Sequence, residues 1–150
     1  MLSPATRHPL LQGHEKGNGQ VTHYAYHNSG GVARVTKPTG AKVMLKYNGL
    51  GRTLTRTVVT DAYPDGLATR YSYTPRSQLA TATYPNVTDA VTGDSHTLQL
   101  SYTYGPDGYL TKTVASDIGG TASRTTSYGY GARGHVTEVT DAKDRVTTYG

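Results

Sequence analysis

Residues 129–134 read Gly-Tyr-Gly-Ala-Arg-Gly and match the glycine spacing of a dinucleotide-binding loop. Such a loop requires a preceding strand, a following helix and a later acidic residue that binds the ribose. Here the next residues, 135–139, read His-Val-Thr-Glu-Val, which is typical of a strand. We therefore interpret these glycines as turn residues and predict no nucleotide cofactor.

Other chemistry-bearing residues show no pattern that indicates catalysis. The chain has no cysteine, which excludes disulfides, a thiolate nucleophile and Cys-ligated zinc. Its histidines lack metalloprotease spacing; they are His8, His14, His23, His27, His96 and His135. There is no Gly-x-Ser-x-Gly elbow and no recurring carboxylate pair of the kind glycosidases use. The sequence predicts no catalytic residue, no metal site and no cofactor, and we expect the chain not to be an enzyme.

The formal net charge is +5, and it is unevenly distributed. Between Glu15 and Asp61 there is no acidic residue, whereas seven basic residues lie there. Basic stretches with aromatic residues nearby attract nucleic acid or other polyanions. Because these basic residues stand singly at expected strand and loop positions, we favour a solvated sheet face and regard nucleic acid as the weaker interpretation. Exposed Lys and Arg also oppose unwanted edge pairing.

The composition favours strands and turns. Val, Leu and Ile together number 24 of 150 residues and Phe is absent, whereas there are 25 Thr, 18 Gly and 13 Tyr. Thr, Val and Tyr favour strands, Gly favours turns, and only two Glu are present. This excludes an all-α or α/β protein and predicts an all-β fold with a thin core. The sequence shows no membrane span and no recognisable signal peptide.

A tyrosine recurs at spacings of 21, 26, 31 and 26 residues and anchors five similar blocks. These anchors are Tyr26, Tyr47, Tyr73, Tyr104 and Tyr130. Two residues earlier, four blocks carry a further tyrosine: Tyr24, Tyr71, Tyr102 and Tyr128. Four residues after the anchor, four blocks carry a glycine: Gly30, Gly51, Gly108 and Gly134. Seven residues before it, three blocks carry Gly19, Gly40 and Gly66. Tyr149 matches Tyr24 and predicts a sixth block, as expected of a fragment cut from a longer protein.

Each block is predicted to form a β-hairpin. Residues 21–26 alternate so that Thr22, Tyr24 and Tyr26 share one face. The glycine after the anchor supplies a residue able to take a positive φ. Asn48-Gly49, Asp65-Gly66 and residues 106–108 are further turn signals. One hairpin cannot bury its apolar face alone, so neighbouring blocks must pair into a long sheet.

Together these blocks, of the form Gly-x-x-Thr-x-Tyr-x-Tyr-x-x-x-Gly-x-(Val/Leu), resemble the Rhs or YD-repeat family. The best match covers residues 19–40. The family's Tyr-Asp pair is absent, so the repeats are degenerate, although Asn48 after Tyr47 is able to make the corresponding Asx-type turn bond. The resemblance covers residues 17–150 as about five repeats plus the start of a sixth. Residues 1–16 are expected to form an irregular N-terminal segment.

This resemblance implies tandem hairpins in an extended, curved, mainly antiparallel sheet that forms a segment of a β-shell. In bacterial Rhs and Tc toxins such a shell encloses a toxic C-terminal polypeptide, and related barrels occur in teneurins. The implied partners are the remaining repeats and an enclosed C-terminal toxin segment, and the implied location is exported, secreted or cell-surface. The alternative is a surface module that binds carbohydrate or polyanion. In that case the tyrosine pairs would form a sugar-stacking platform instead of cross-strand aromatic ladders.

Overall fold

The computed structural model describes residues 19–150 and, as a strand, residues 11–16. Fourteen β-strands and no helix occur in this part of the chain. The strands are β1 (Leu11–Lys16), β2 (Gln20–Tyr26), β3 (Val32–Thr36), β4 (Lys42–Tyr47), β5 (Thr53–Thr60), β6 (Tyr63–Tyr73), β7 (Leu79–Thr83), β8 (Val87–Thr88), β9 (Ser95–His96), β10 (Leu98–Tyr104), β11 (Leu110–Asp117), β12 (Ser123–Tyr130), β13 (Val136–Thr140) and β14 (Val146–Thr148). No helix able to cross a membrane is found among these described residues.

Twelve strands form one large antiparallel sheet in the order β1-β2-β3-β4-β5-β6-β7-β10-β11-β12-β13-β14, and β8 pairs with β9 separately. Neighbours in the sheet are therefore neighbours in sequence, apart from the β8–β9 insertion. This confirms the predicted all-β class and the antiparallel hairpins. The chain divides into two compact units, one up to Thr69 and the other from Arg70.

The first unit contains the hairpins β2–β3 and β4–β5. Tyr24 pairs with Val35, and Val35 pairs with Val43, so these residues lie on one face. Ala25, Arg34 and Met44 are joined by the same ladders and lie on the opposite face.

The second unit contains the hairpins β6–β7, β10–β11 and β12–β13, with the residues of β6 from Arg70 onward. Tyr71 pairs with Ala82, which pairs with Leu100, which pairs with Ala115. These four residues therefore share a face, and it is the face that carries Tyr102 two residues after Leu100.

The core is as thin as the composition predicts. Within the described residues, the buried hydrophobic residues are Ala25 and Ala82, which are 5% and 2% exposed, and the buried polar residue is Thr69. No large side chain is fully buried there. Stability must therefore depend on backbone ladders and on many half-buried Val, Leu and Tyr side chains.

The N-terminal segment differs from the sequence interpretation. Residues 1–16 were expected to be irregular, but Leu11–Lys16 forms β1 and pairs with β2 from Leu11↔Ala25 to Lys16↔Gln20. The expectation is wrong for these six residues, because pairing satisfies backbone groups along one side of β2 whatever the side-chain pattern. Residues 1–10 lie outside the described part.

A second correction concerns Asp65-Gly66, which was expected to form a turn. Both residues lie inside β6, and the chain reverses earlier, at Asp61 and Ala62. Gly66 nevertheless keeps a positive φ of 84°, as Gly19 and Gly40 do at the same repeat position. The turn moves outward because β5 extends over eight residues to Thr60, beyond the usual hairpin end.

Candidate functional site

The five anchor tyrosines are followed by one recurring loop. In the first copy the backbone N–H of His27 donates to the carbonyl oxygen of Gly31 at 2.8 Å, and the N–H of Gly30 donates to that of His27 at 2.9 Å. The same two bonds close the loops after Tyr47, Tyr73, Tyr104 and Tyr130. This is a three-residue hairpin loop whose last residue takes a left-handed conformation.

The fourth residue after the anchor has a positive φ in every copy. The values are 88° at Gly30, 75° at Gly51, 67° at Ser77, 86° at Gly108 and 76° at Gly134. This confirms the predicted role of the turn glycines. Ser77 adopts the same conformation despite its side chain, so the loop geometry is imposed by the repeat and not by glycine alone.

Asn48 confirms the expected side-chain turn bond. Its Oδ1 accepts the backbone N–H groups of Leu50 and Arg52, both at 3.0 Å. Asp141 makes the equivalent bonds to the N–H groups of Lys143 and Arg145, in the loop between β13 and β14. An Asn or Asp at the start of the loop thus satisfies two backbone donors that the hairpin ladder leaves free.

Each anchor tyrosine lies at a β-bulge. The strand register shifts immediately before Tyr26, Tyr47, Tyr73, Tyr104 and Tyr130. In each hairpin the anchor then pairs with the residue six positions later, as Tyr104 pairs with Leu110. A bulge strengthens the local twist and redirects the side chain next to it.

The redirected tyrosines join consecutive repeats. Tyr47 Oη donates to the carbonyl oxygen of Val32 at 3.0 Å, and Tyr104 Oη donates to that of Leu79 at 3.0 Å. Tyr130 Oη donates to the carbonyl oxygen of Leu110 at 2.8 Å. In all three cases the acceptor lies six residues after the preceding anchor, so these are one recurring contact, which we call the hydroxyl link. Sequence reasoning identified the tyrosines but missed this link. Its signal in the sequence is that an anchor tyrosine in one block is matched by the residue six positions after the anchor of the preceding block.

Loop residues add further contacts between neighbouring hairpins. His27 Nε2 lies 2.9 Å from the carbonyl oxygen of Leu45, and its ring meets the edge of Tyr47 at a centroid distance of 5.8 Å. In the second unit Gln78 Nε2 donates to the carbonyl oxygen of Gly108 at 2.8 Å. The hairpin ends therefore hold one another in register.

The direct cross-strand partners of the first tyrosine in each pair are not aromatic: Tyr24 pairs with Val35, Tyr71 with Ala82, Tyr102 with Thr113 and Tyr128 with Val139. Among the described residues, the ring of Tyr109 stacks on that of Tyr130, and the ring of His27 meets the edge of Tyr47. The register places Tyr71, Tyr102 and Tyr128 on one face of the second unit. Burial, and to a smaller extent the neighbouring Tyr84 and Tyr104, raises the pKa of Tyr102. The remaining repeat-defining residues lie where the register requires, with Tyr128 on β12, Gly40 in the β3–β4 loop and Tyr149 directly after β14.

An aromatic groove of about 510 Å³ lies beside Asp107, Tyr109 and Tyr130. The two rings are stacked at 5.0 Å and 19°. Gly134 is required here for a second reason, because a Cβ at this position would collide with the Tyr109 hydroxyl. Gly129 thus lies in β12, Gly131 and Gly134 lie in the loop that follows, and the next element is the strand β13, which is not the strand–helix context of a nucleotide site.

A second groove, of about 380 Å³, is lined by His96, Leu98, Ala115, Asp117 and Arg124, among others. His96 Nδ1 lies 2.6 Å from Asp117 Oδ2, and the backbone N–H of Thr97 donates to Asp117 Oδ1 at 2.9 Å. The hydrogen bond to Asp117 raises the pKa of His96, and the bond from His96 lowers the pKa of Asp117. This pair fastens the β8–β9 insertion to the end of β11.

The described residues contain no cluster of three or more potential metal ligands among His, Asp and Glu. The His96–Asp117 pair has no nucleophile hydrogen-bonded to the imidazole among the contacts found, so its geometry is that of a structural ion pair.

No protein-family model matches the sequence, and no curated protein matches it. Among solved structures, the crystal structure of TcdB2-TccC3-Cdc42 is similar over 79% of this chain, with 12% sequence identity and a TM-score of 0.39. The chain spans 7% of the matched chain's length.

Proposed function

We propose that this chain is a structural repeat segment, a strip of a β-shell wall that encloses a toxin or effector polypeptide, and that it performs no catalysis. The observation that carries the proposal is the hydroxyl link, which joins Tyr47, Tyr104 and Tyr130 to the preceding hairpin at 2.8–3.0 Å. A hairpin that is bonded at a fixed offset to its neighbour is a unit of a wall that grows by addition of repeats.

The thin core supports the same role. A domain that folds alone around its own core buries large apolar side chains, whereas here none is fully buried among the described residues. In a wall, the ladders and links distribute stability along the sheet, and the enclosed polypeptide is separated from solvent by backbone and half-buried side chains. The proposal places the protein outside the cytoplasm, as an exported or cell-surface component.

The first test is to read the coding sequence on both sides of this segment. The proposal expects further blocks with the Tyr-x-Tyr pair and the glycine four residues after the anchor, followed by a C-terminal polypeptide of unrelated composition. Flanking sequence that contains no such block would contradict it.

The second test is protease protection of that C-terminal polypeptide in the longer protein. Protection should be lost when Gly30→Val and Gly51→Val open the wall, and retained in the control variant Gly49→Ala, at a loop glycine that has no positive φ and open space for a Cβ. Equal digestion in all variants and in the wild type would exclude encapsulation.

A second candidate function is carbohydrate binding, and the specific observation in its favour is the Tyr109–Tyr130 stack beside Asp107. Sugar rings pack against aromatic faces, and their hydroxyl groups donate hydrogen bonds to carboxylates. Binding on a glycan array that is lost in Tyr109→Ala would support this function, provided that the control variant Tyr149→Ala still binds. Tyr149 is 52% exposed and lies outside the groove. Absence of binding by the wild type would remove this candidate.

A further inference from the structure

One face of the first unit carries an unusual concentration of positive charge. Arg34 on β3 and Lys42 and Lys46 on β4 are all exposed. Arg34 pairs with Met44, which lies between the two lysines on the same face of β4. His23 on β2 is exposed and lies on this face through its pairing with Thr36. We call these four residues the basic face.

Within residues 19–150, no ion pair joins a residue of the basic face to a carboxylate. The two ion pairs found there lie in the second unit, at His96–Asp117 and Asp141–Arg145. The β5 residues opposite Lys42, Met44 and Lys46 are uncharged: Val59, Thr57 and Thr55. Like charges on neighbouring strands repel one another and lower the stability of a sheet.

The repeat itself does not require these charges. The position of Arg34, eight residues after the anchor, is occupied in later repeats by Thr55, Thr81, Lys112 and Glu138. The position of Lys46, directly before the anchor, is occupied in the other repeats by Ala25, Ser72, Thr103 and Gly129. Since the fold accepts neutral residues at both positions, the basic face has a cause other than folding.

The spacing of the charges indicates the kind of anion. Lys42 and Lys46 are four residues apart on one strand, about 13 Å at roughly 3.3 Å per residue. Arg34 is level with their midpoint on the next strand, about 4.8 Å away. The charges therefore recur at about 6.6 Å along the strand direction, which is the repeat of alternate side chains in an extended polypeptide.

The opposite face argues against single-stranded nucleic acid. Binding of single strands combines basic residues with aromatic rings on which the bases stack. Here the aromatic Tyr24 lies with Val35 and Val43 on the other face of the sheet, away from Arg34. The basic face offers charge together with the threonine hydroxyls of Thr36, Thr55 and Thr57.

We propose that the basic face binds an extended acidic polypeptide segment in which Asp or Glu occupies alternate positions. This inference goes beyond the wall function and does not depend on it, because it concerns one face of the first unit. The segment lies along β4, with successive carboxylates directed to Lys42, Arg34 and Lys46.

The test is fluorescence anisotropy of the full 150-residue chain with a labelled peptide of alternating Glu and Thr. A peptide of the same composition with its acids in one block is the ligand control. The variant Arg34→Gln/Lys42→Gln/Lys46→Gln should weaken binding about tenfold, since three exposed ion pairs are removed. The matched variant Lys112→Gln/Arg133→Gln/Lys143→Gln removes the same charge from the second unit and should leave binding within about twofold.

Several outcomes would overturn the proposal: equal affinity for both peptides, equal weakening by both variants, or tighter binding of oligothymidylate or heparin than of the alternating peptide at the same salt concentration. If the basic-face variant does not fold, the binding site is located instead by carbodiimide cross-linking of the peptide to lysines of the wild type. Cross-links at Lys42 and Lys46 support the proposal, and cross-links spread evenly over all lysines contradict it.

Discussion

Removal of the hydroxyl link is the most direct perturbation of the repeat architecture. Tyr104→Phe deletes one oxygen, keeps the ring, and leaves the carbonyl oxygen of Leu79 without the donor that now lies 3.0 Å away. A net hydrogen bond contributes about 0.5–1.5 kcal/mol, and an acceptor left partly buried costs more. Because this bond is part-buried, we expect a loss of about 1 kcal/mol.

Such a loss corresponds to about 2–4 °C in Tm for a chain of this size. The same change is expected for Tyr47→Phe, whose acceptor is Val32 in the first unit. The effects of Tyr47→Phe and Tyr104→Phe should add, because the two links share no residue. Tyr130→Phe should couple with Tyr104→Phe, since the acceptor of Tyr130 is Leu110, the residue that pairs with Tyr104.

The assay is urea unfolding monitored by circular dichroism, with Tyr149→Phe as control. Tyr149 is 52% exposed, so loss of its hydroxyl should change the free energy of unfolding by less than about 0.5 kcal/mol. If the anchor variants are no less stable than Tyr149→Phe, the hydroxyl link does not stabilise the sheet and the reasoning behind the proposed wall fails.

Four further predictions concern single loops. Ser77→Gly should stabilise the chain by up to about 1 kcal/mol in urea unfolding, because Ser77 is held at a φ of 67° where glycine is unstrained; no gain would contradict this. Gly30→Val should lower the free energy of unfolding by about 1–2 kcal/mol, purely through backbone strain, because a Cβ at Gly30 meets no atom within 4 Å; an unchanged thermal melt would refute the turn assignment. Asn48→Ala should cost about 1 kcal/mol by removing the one oxygen that accepts the N–H groups of Leu50 and Arg52, and Asn48→Asp should restore most of it; an unchanged free energy of unfolding in Asn48→Ala would contradict this. His96→Gln should reduce the protection of the β8–β9 insertion from limited proteolysis only within a pH window. Because the pKa of His96 is raised, its stabilising contribution is full below about pH 6.5 and is lost as the pH rises through the folded-state pKa; Asp89 and Asp94 also face the imidazole. Because the pKa of Asp117 is lowered, its contribution is full above about pH 3.8 and is lost as the pH falls through the folded-state pKa. An effect of His96→Gln that is the same at high and intermediate pH would contradict that assignment.

Much of the local structure could be predicted from the sequence. The five hairpins, the positive φ of the glycines after four anchors and the Asn48 turn bond depend on contacts within about four residues, and the residue types indicate them directly; Ser77 is the position where the residue type does not. The exceptions are instructive. Asp65-Gly66 has the composition of a turn, yet it lies within β6, because β5 continues to Thr60 and β6 begins at Tyr63. Likewise, β1 forms because it pairs with the backbone groups along one side of β2, and no alternating pattern in residues 11–16 predicts this strand.

The candidate sites depended on a different kind of information. The hydroxyl links join residues 15, 25 and 20 positions apart, and the His96–Asp117 pair spans 21 positions. The basic face also requires the register of β3 against β4, since a slip of one residue would move Arg34 to the tyrosine side. The sequence by itself determined what each hairpin is, because a hairpin is closed by local turn chemistry. Only the tertiary structure decided how the hairpins are joined and which charges share a face, because those depend on strand register, which is set by the bulges and by pairing between distant blocks.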